Sequence, residues 1–183
     1  FQSNMVPTGK RRLKIANDDL RGSALALFLS TSLVEISKWA RAGASFYVFH
    51  GDQRRSQRPT FEDAFDAADV EMLGNIVWEK PSATMGWQDY RCGYEPILFG
   101  AKRGAKHLRV RDRTQTNVWT FDRDTSLGHP MTKPVLLLAR AVENSSRVGD
   151  VVVDGFAGSG STLVAAAVCG RVGMGVEIEP RYC

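Results

Sequence analysis

Apolar residues follow two patterns along this chain, helical spacing and short continuous runs, and the two patterns alternate. Helical spacing predicts a helix over 17–40, with Asn17 or Asp18 as its N-cap, and a second over 61–71, capped by Thr60. The other predicted elements are helices at 134–144 and 161–169 and strands at 44–50, 74–80, 94–101, 150–154 and 172–177. Strands that alternate with helices indicate an α/β fold with a mostly parallel sheet and helices on both faces.

The composition agrees with one globular domain. The 183 residues, of which 43% are hydrophobic, are enough to bury one core. The longest apolar run, 24–29, is far shorter than the ~20 residues of a membrane-spanning helix. No secretory signal is visible, and the three cysteines and three histidines show no metal-ligand spacing. We therefore expect a cytoplasmic protein that binds neither a metal nor a membrane.

Basic residues cluster in the sequence, although the net charge is only +4. The largest cluster lies in the stretch 102–127, which is predicted to be irregular. A loop of that length inside a compact domain is usually functional or disordered. Four of its arginines are predicted to contact DNA phosphates, namely Arg103, Arg109, Arg111 and Arg113. A basic face that only contacts solvent is the alternative interpretation.

The segment 150–180 carries the clearest chemical signal. A hydrophobic strand ends in Asp154, a turn with three glycines follows, and a helix begins at Ser161. The next predicted strand ends in a second acid, Glu177. Glycines let a ligand approach the backbone, the start of the helix offers free amides, and a carboxylate at that position accepts hydrogen bonds from ribose hydroxyls. The pattern is typical of a nucleotide-type site.

The spacing of the glycines narrows the class of ligand. A phosphate-binding P-loop requires a lysine directly after the last glycine, and Gly160 is followed by Ser161. The dinucleotide fingerprint requires a third glycine at the position of Leu163. A nicotinamide-dependent oxidoreductase therefore stays an alternative, although the dinucleotide fingerprint of that class lacks its third glycine here.

The sequence Phe-x-Gly-x-Gly between two acid-ending strands resembles the S-adenosylmethionine site of DNA amino-methyltransferases. Residues 128–134 (GHPMTKP) resemble the His-Pro-x-x-Lys-Pro element of that family. Residues 78–80 (WEK) and 94–98 (YEPIL) resemble its Trp-x-Lys and Glu-x-Ile-Leu strands. The resemblance covers nearly all of 14–183, and its order is that of the permuted group often called the beta class, which is common in restriction–modification and prophage systems.

The resemblance implies a Rossmann-like methyltransferase fold, S-adenosylmethionine as cofactor and DNA as partner. The activity implied is methyl transfer to the exocyclic amine of adenine (N6) or cytosine (N4). Glu177 would accept the ribose hydroxyls, and Lys133 and Thr132 are candidates for the methionine carboxylate. The implied cofactor-binding residues are Asp154, Phe156, Ala157, Gly158, Ser159, Gly160, Ser161, Thr162, Glu177, His129, Thr132 and Lys133.

One element of the family pattern has no counterpart. The Asp/Ser/Asn-Pro-Pro-aromatic motif, which orients the target amine and would lie ahead of Val6, is not found, since no two prolines are adjacent. Residues 1–4 are interpreted as the remnant of an expression tag. Residues 5–183 are then one truncated methyltransferase domain, with the basic loop 102–127 and a cofactor-binding half, 128–183. No catalytic residue is assigned, and a remnant that binds cofactor or DNA without catalysis is an alternative.

Overall fold

Helices and strands alternate through the part of the chain that the structure describes. A computed structural model gives residues 20–51, 58–84, 89–110, 112, 114–122 and 133–180, without the side chains of 58–60 and 82–84. The helices are α1 (Gly22–Trp39), α2 (Arg58–Ala67), α3 (Val135–Ser145) and α4 (Ser161–Val168). The strands are β1 (Ser45–Phe49), β2 (Val70–Thr84), β3 (Cys92–Lys102), β4 (Val118–Thr120), β5 (Val151–Asp154) and β6 (Val172–Gly175).

The described strands form two sheets. The first has the order β1-β3-β2-β4, and the second pairs β5 with β6. Strand β3 is antiparallel to β1 and β2, whereas β4 runs parallel to β2 and β6 parallel to β5. The connection from β2 to β3 is too short for a crossover, which takes a dozen or more residues, so these two strands form a hairpin.

Five of the six described strands point the same way. Helix α1 runs against β5, because Phe28 near its start packs on Phe156 and Arg41 just after its end pairs with Asp150. A short turn leads from α1 into β1, so β1 and β5 share one direction. Only β3 runs against the others. The predicted α/β fold is confirmed, with a sheet that is mixed because of the hairpin.

Alternation along the central strands separates two hydrophobic cores, one on each face of the sheet. Phe46 of β1 and Leu98 of β3 point to the face covered by α1 and α2, where Phe65 is almost fully buried. Their neighbours in the chain, Tyr47 and Ile97, point to the opposite face and pack toward α3. Period-two alternation of apolar residues is what a sheet covered on both faces requires. Helices therefore lie on both faces, as predicted.

The two sheets belong to one layer. Ile36 of α1 packs into the core under β1 and also contacts Gly155 at the end of β5, where a Cβ would lie 2.5 Å from its Cδ1 atom. On the other face, Phe49 of β1 packs against two clusters, one that contains Leu137 of α3 and one that includes Ala165 of α4. Within the described residues, β1 and β5 each keep one edge without a partner strand. These two parallel edges lie under the same two helical layers.

The structure corrects several predicted boundaries and adds one strand. Glu71, predicted in the second helix, lies in β2, because α2 ends at Ala67 and a turn with Asp69 at φ +58° follows. Pro81 does not end β2, which continues to Thr84 through a register shift that accommodates a residue without an N–H. The stretch 102–127 contains β4, which is anchored by the buried ring of Trp119. The predicted caps Asn17 and Asp18 lie outside the described residues, but neither caps α1, which begins at Gly22 with Arg21 as its N-cap. Thr60 does not cap the second helix either, because α2 begins at Arg58.

No helix among the described residues combines the length and apolar character needed to cross a membrane. In the same residues, no group of three or more His, Cys, Asp and Glu side chains is arranged to hold a metal ion.

Gly100 of β3 lies where the sheet and α2 are in closest contact. A Cβ there would lie 2.7 Å from the Glu71 carbonyl oxygen and 2.7 Å from Cε2 of Phe65. Gly100→Ala should lower the free energy of unfolding by about 2 kcal/mol, the usual cost of overpacking. Urea unfolding measures this. Gly74→Ala in β2, where a Cβ meets nothing within 4 Å, is the control; equal losses in both variants would contradict the packing explanation.

Candidate cofactor site

The glycine turn leaves the carboxyl end of β5 and enters α4. Gly158 and Gly160 adopt φ +52° and +77°, a region that side chains disfavour, and Gly160 is the N-cap of α4. The first hydrogen bonds of the helix run from Leu163 and Val164 to the Gly160 carbonyl at 2.9 and 3.0 Å. The backbone N–H groups of the two preceding residues, Ser161 and Thr162, belong to the first turn of the helix and have no acceptor within it. N–H groups at the start of a helix are suited to bind a polar ligand.

Asp154 stabilises the glycine turn by a hydrogen bond to its backbone. Its Oδ1 accepts a hydrogen bond from the backbone N–H of Phe156 at 2.9 Å. This local bond from an aspartate to an amide two residues on is a common way to stabilise a turn. Asp154 therefore holds the backbone of the turn.

Glu177 links the glycine turn to the end of β6. Its Oε2 accepts a hydrogen bond from the N–H of Gly158 at 2.7 Å, and its Oε1 accepts one from the N–H of Glu179 at 2.8 Å. The N–H of Ala157 also donates to the carbonyl of Val176 at 2.9 Å. A carboxylate fixed by one amide on each oxygen keeps further lone pairs for a ligand. The structure thus brings together the two ends of the predicted nucleotide-type site.

Helix α1 forms a wall beside this turn, which the sequence did not indicate. The half-exposed ring of Phe156 packs against Phe28, with ring centroids 5.8 Å apart. Ile36, two turns further along the same helix, leaves no room for a side chain at Gly155. In the sequence both α1 residues belong to an apolar stripe that a core explains equally well. No local sequence signal distinguished a residue that only packs in the core from one that also lines the glycine turn.

The remaining cofactor candidates precede α3. The Nζ atom of Lys133 lies 5.2 Å from the ring centroid of Phe49, so Lys133 lies at the carboxyl end of β1. This is the edge of the sheet that also carries the glycine turn. His129 and Thr132 lie outside the described residues, and the role of all three stays a prediction.

The described arginines of the predicted DNA-contact loop lie at the other edge. Arg103 follows β3 beside the start of β2, and its guanidinium pairs with Asp66 at 3.0 Å and Asp69 at 3.8 Å. Arg109 lines a pocket of about 390 Å³ together with Asn144, at the end of α3 that precedes β5. Arg111 and Arg113 lie outside the described residues. The placement of Arg103 and Arg109 gives no support to phosphate contacts near the glycine turn, and these contacts stay predictions.

The contacts of His50 and Cys169 indicate structural roles for both residues. The ring of His50 stacks on Phe61 with centroids 4.6 Å apart, and its Nδ1 lies 2.9 Å from the Gly51 carbonyl. Cys169 packs against the core between α3 and α4, and burial raises the pKa of its thiol. A raised pKa keeps the thiol protonated and poorly nucleophilic at neutral pH. Both residues therefore contribute to packing.

Comparison with known proteins identifies the family. A family model for DNA methylases of the N6/N4 type matches residues 8–183. The chain is similar to the type II methyltransferase M2.DpnII of Streptococcus pneumoniae, with 29% identity over 136 residues that cover 65% of this chain and 51% of that protein. It is also similar to the DNA adenine methyltransferase YhdJ of Escherichia coli strain K12, with 33% identity over 111 residues that cover 52% of this chain and 38% of that protein. The chain spans about half the length of these curated relatives, or less.

Solved structures agree with this match. The chain is similar to TTHA0409 of Thermus thermophilus, solved in complex with S-adenosyl-L-methionine, with a TM-score of 0.68 and 26% identity. The similar region covers 87% of this chain and 74% of that one. The Rossmann-like methyltransferase fold implied by the resemblance is thereby confirmed. Because the family match extends over nearly the whole sequence, from residue 8 to residue 183, this chain belongs to the DNA methylase family.

Proposed function

We propose that this chain is the cofactor-binding part of a site-specific DNA methyltransferase that modifies the exocyclic amine of adenine (N6) or cytosine (N4). One observation carries the proposal: the Glu177 carboxylate is held by the Gly158 amide at 2.7 Å, so an acid and a glycine turn form one site at the end of two parallel strands. Ligands of open α/β sheets bind at this edge. Membership of the DNA methylase family selects S-adenosylmethionine among the possible ligands.

The residues of the turn fit the adenosine part of this cofactor. A Cβ at Gly160 would meet nothing within 4 Å, and one at Gly158 only the Phe156 carbonyl at 3.9 Å, so the turn presents bare backbone to a ligand. Glu177 would accept hydrogen bonds from both ribose hydroxyls with the lone pairs that its amide partners leave free. The half-exposed ring of Phe156 provides an apolar surface at the same turn.

The methionine end of the cofactor would lie toward Lys133. A lysine ammonium pairs with a carboxylate, and Lys133 lies at the carboxyl end of β1, on the same edge as the turn. Thr132 and His129 are assigned to this end by the family resemblance. When bound, S-adenosylmethionine supplies a methyl group activated by its sulfonium charge.

The acceptor is proposed to be an extruded base of duplex DNA. The exocyclic amines of adenine and cytosine take part in base pairing, so an enzyme reaches them only after the base leaves the stack. The part of the enzyme that would orient the amine, the Pro-Pro motif, has no counterpart in this sequence. Because DNA is the substrate, we propose a cytoplasmic location and a restriction–modification setting.

Calorimetry with S-adenosylhomocysteine tests the cofactor assignment. Glu177→Ala should weaken binding at least tenfold, since a hydrogen bond to a charged group is worth roughly 1.5–3 kcal/mol. Glu143→Ala is the control, because Glu143 is an exposed acid at the other edge of the sheet. Unchanged affinity in the Glu177 variant would refute the assignment. Binding of NAD in preference to S-adenosylhomocysteine would instead favour an oxidoreductase.

A further inference from the structure

The hairpin of β2 and β3 projects beyond the end of β1. Strand β1 ends at Phe49, opposite Ile97, whereas β2 and β3 stay paired as far as Thr84 and Cys92. The five residues of β3 that precede Ile97 therefore extend the hairpin by about 16 Å past the last pair with β1. We call this projection the arm and define it as residues 80–84 and 89–96. It starts from the edge of the sheet that carries the glycine turn.

The described tip of the arm combines an aromatic ring with a cation, next to one exposed acid, Asp89. The side chain of Tyr90 is 87% exposed, and Arg91 beside it is also exposed. A ring this exposed adds almost nothing to folding, since it buries little area. Exposed aromatic rings stack on bases, and arginines neutralise phosphates. The tip thus has the chemistry of a nucleic-acid contact at the edge where the substrate must approach.

A buried ion pair holds the root of the arm. Lys80 forms a salt bridge with Glu95 across the hairpin, and the lysine side chain is only 8% exposed. Its Nζ also lies 5.4 Å from the ring centroid of Trp78. The indole Nε1 of Trp78 donates to the Phe121 carbonyl at 3.0 Å, which fixes the ring. This connects the two sequence motifs 78–80 and 94–98, which the proposed function left without a role.

The position of the ion pair matters more than its energy. The ladder between β2 and β3 shifts register between Glu79 and Thr84, so strand hydrogen bonds do not fix the arm at this point. Buried ion pairs add little net stability, because desolvation offsets most of their attraction. In some proteins such a pair fixes one geometry between the groups that it joins. The Lys80–Glu95 pair joins the two strands at the point where the arm leaves the sheet.

We propose that the arm contacts the DNA substrate, with Tyr90 and Arg91 at the interface and Lys80 and Glu95 as positioning residues. The inference rests on the proposed function for the identity of the partner. It differs from the sequence prediction, which assigned phosphate contacts to Arg103, Arg109, Arg111 and Arg113; of these the structure describes Arg103 and Arg109. Those two residues lie at the opposite edge.

Fluorescence anisotropy with a labelled mixed-sequence duplex, in the presence of S-adenosylhomocysteine, tests the interface. Tyr90→Ala should weaken DNA binding about fivefold or more. Arg91→Ala should flatten the dependence of log K on log salt by about 0.9. Trp39→Ala is the matched control, since its ring is 86% exposed but lies at the end of α1 that precedes β1. It should bind DNA like the parent chain.

A double-mutant cycle tests the positioning residues. Lys80→Met combined with Glu95→Leu removes both charges and leaves neither unpaired in the interior. This variant should keep its affinity for S-adenosylhomocysteine and lose at least threefold in affinity for DNA. Tyr90→Ala should cost less in that background than in the parent, because the tip is already misplaced. Purely additive losses would show that the ion pair does not position the tip.

The outcomes separate this inference from the proposed function. If the parent binds DNA and both tip variants match it, the arm is not the contact and the proposed function stands. If Arg103→Ala and Arg109→Ala flatten the salt dependence while Arg91→Ala does not, the sequence prediction is right and the inference is overturned. If the parent binds S-adenosylhomocysteine but no duplex DNA, both the inference and the DNA part of the proposed function fail.

Discussion

The 183-residue chain is expected to transfer no detectable methyl group to DNA, even where it binds S-adenosylmethionine. The site around Gly158 and Glu177 is proposed to hold the methyl donor, but no residue in the sequence matches the motif that orients the acceptor amine. Proximity and orientation supply ~7–11 kcal/mol of barrier reduction, which is more than a hundred-thousandfold in rate. His50 does not replace the motif, because its ring is stacked on Phe61.

The fold indicates where the missing group would enter. The edges of β1 and β5 that have no partner among the described strands run in the same direction and lie under the same helices. One additional parallel strand between them would join both sheets, and its carboxyl end would lie beside the glycine turn. A loop at that end would face the methyl donor. We therefore expect a segment with the Pro-Pro motif, added ahead of Met5, to switch the activity on.

A tritiated-methyl assay on unmethylated, mixed-sequence DNA measures both states. The chain by itself should give background counts. A fusion that carries an added segment with the Pro-Pro motif should give counts that depend on that motif. Incorporation by the unfused chain that disappears with Gly158→Asp would contradict the expectation and would reveal a catalytic loop of another kind.

The cofactor turn was predictable because its chemistry is local. Asp154, Gly158 and Gly160 lie within seven residues, and each meets a requirement that the sequence itself displays: the end of a strand, a positive φ, the start of a helix. The partner of the turn, Glu177, follows from the same logic one strand later. What the sequence could not show is the pair of amides that fixes the Glu177 carboxylate, since one of them comes from the turn and the other from residue 179.

The DNA-contact prediction depended on long-range geometry, which the sequence does not display. A cluster of arginines reveals its charge in the sequence but not the edge of the sheet on which it lies. Because β3 is reversed, its end carries Arg103 to the start of β1 and β2, away from the turn. The same reversal sends the start of β3, with Tyr90 and Arg91 just before it, to the cofactor edge. Because of this one hairpin, Arg103 and Tyr90 each lie at the edge opposite to the one that an all-parallel sheet would predict.

Gly158→Asp is expected to abolish measurable binding of S-adenosylhomocysteine, a loss of at least about a hundredfold. The amide of Gly158 donates to Glu177 at 2.7 Å, so a carboxylate on residue 158 would lie close to the carboxylate that is proposed to bind the ribose. At an effective dielectric constant of 20, two like charges about 4 Å apart repel by ~4 kcal/mol. The new side chain would also fill the space above the turn that the ligand requires.

Gly149→Asp separates this effect from backbone strain. Gly149 has φ +84°, and a Cβ there meets nothing within 4 Å, so the substitution carries a comparable conformational cost away from the site. Aspartate tolerates the left-handed region better than most residues, which keeps that cost small in both variants. Thermal unfolding should therefore show both proteins folded, with Gly158→Asp melting at the lower temperature because the repulsion from Glu177 is present without ligand. Calorimetry, run below both melting temperatures, should detect binding only in Gly149→Asp. Retained binding in Gly158→Asp would mean that the ligand does not approach the turn, and that the adenosine site lies elsewhere on the sheet edge.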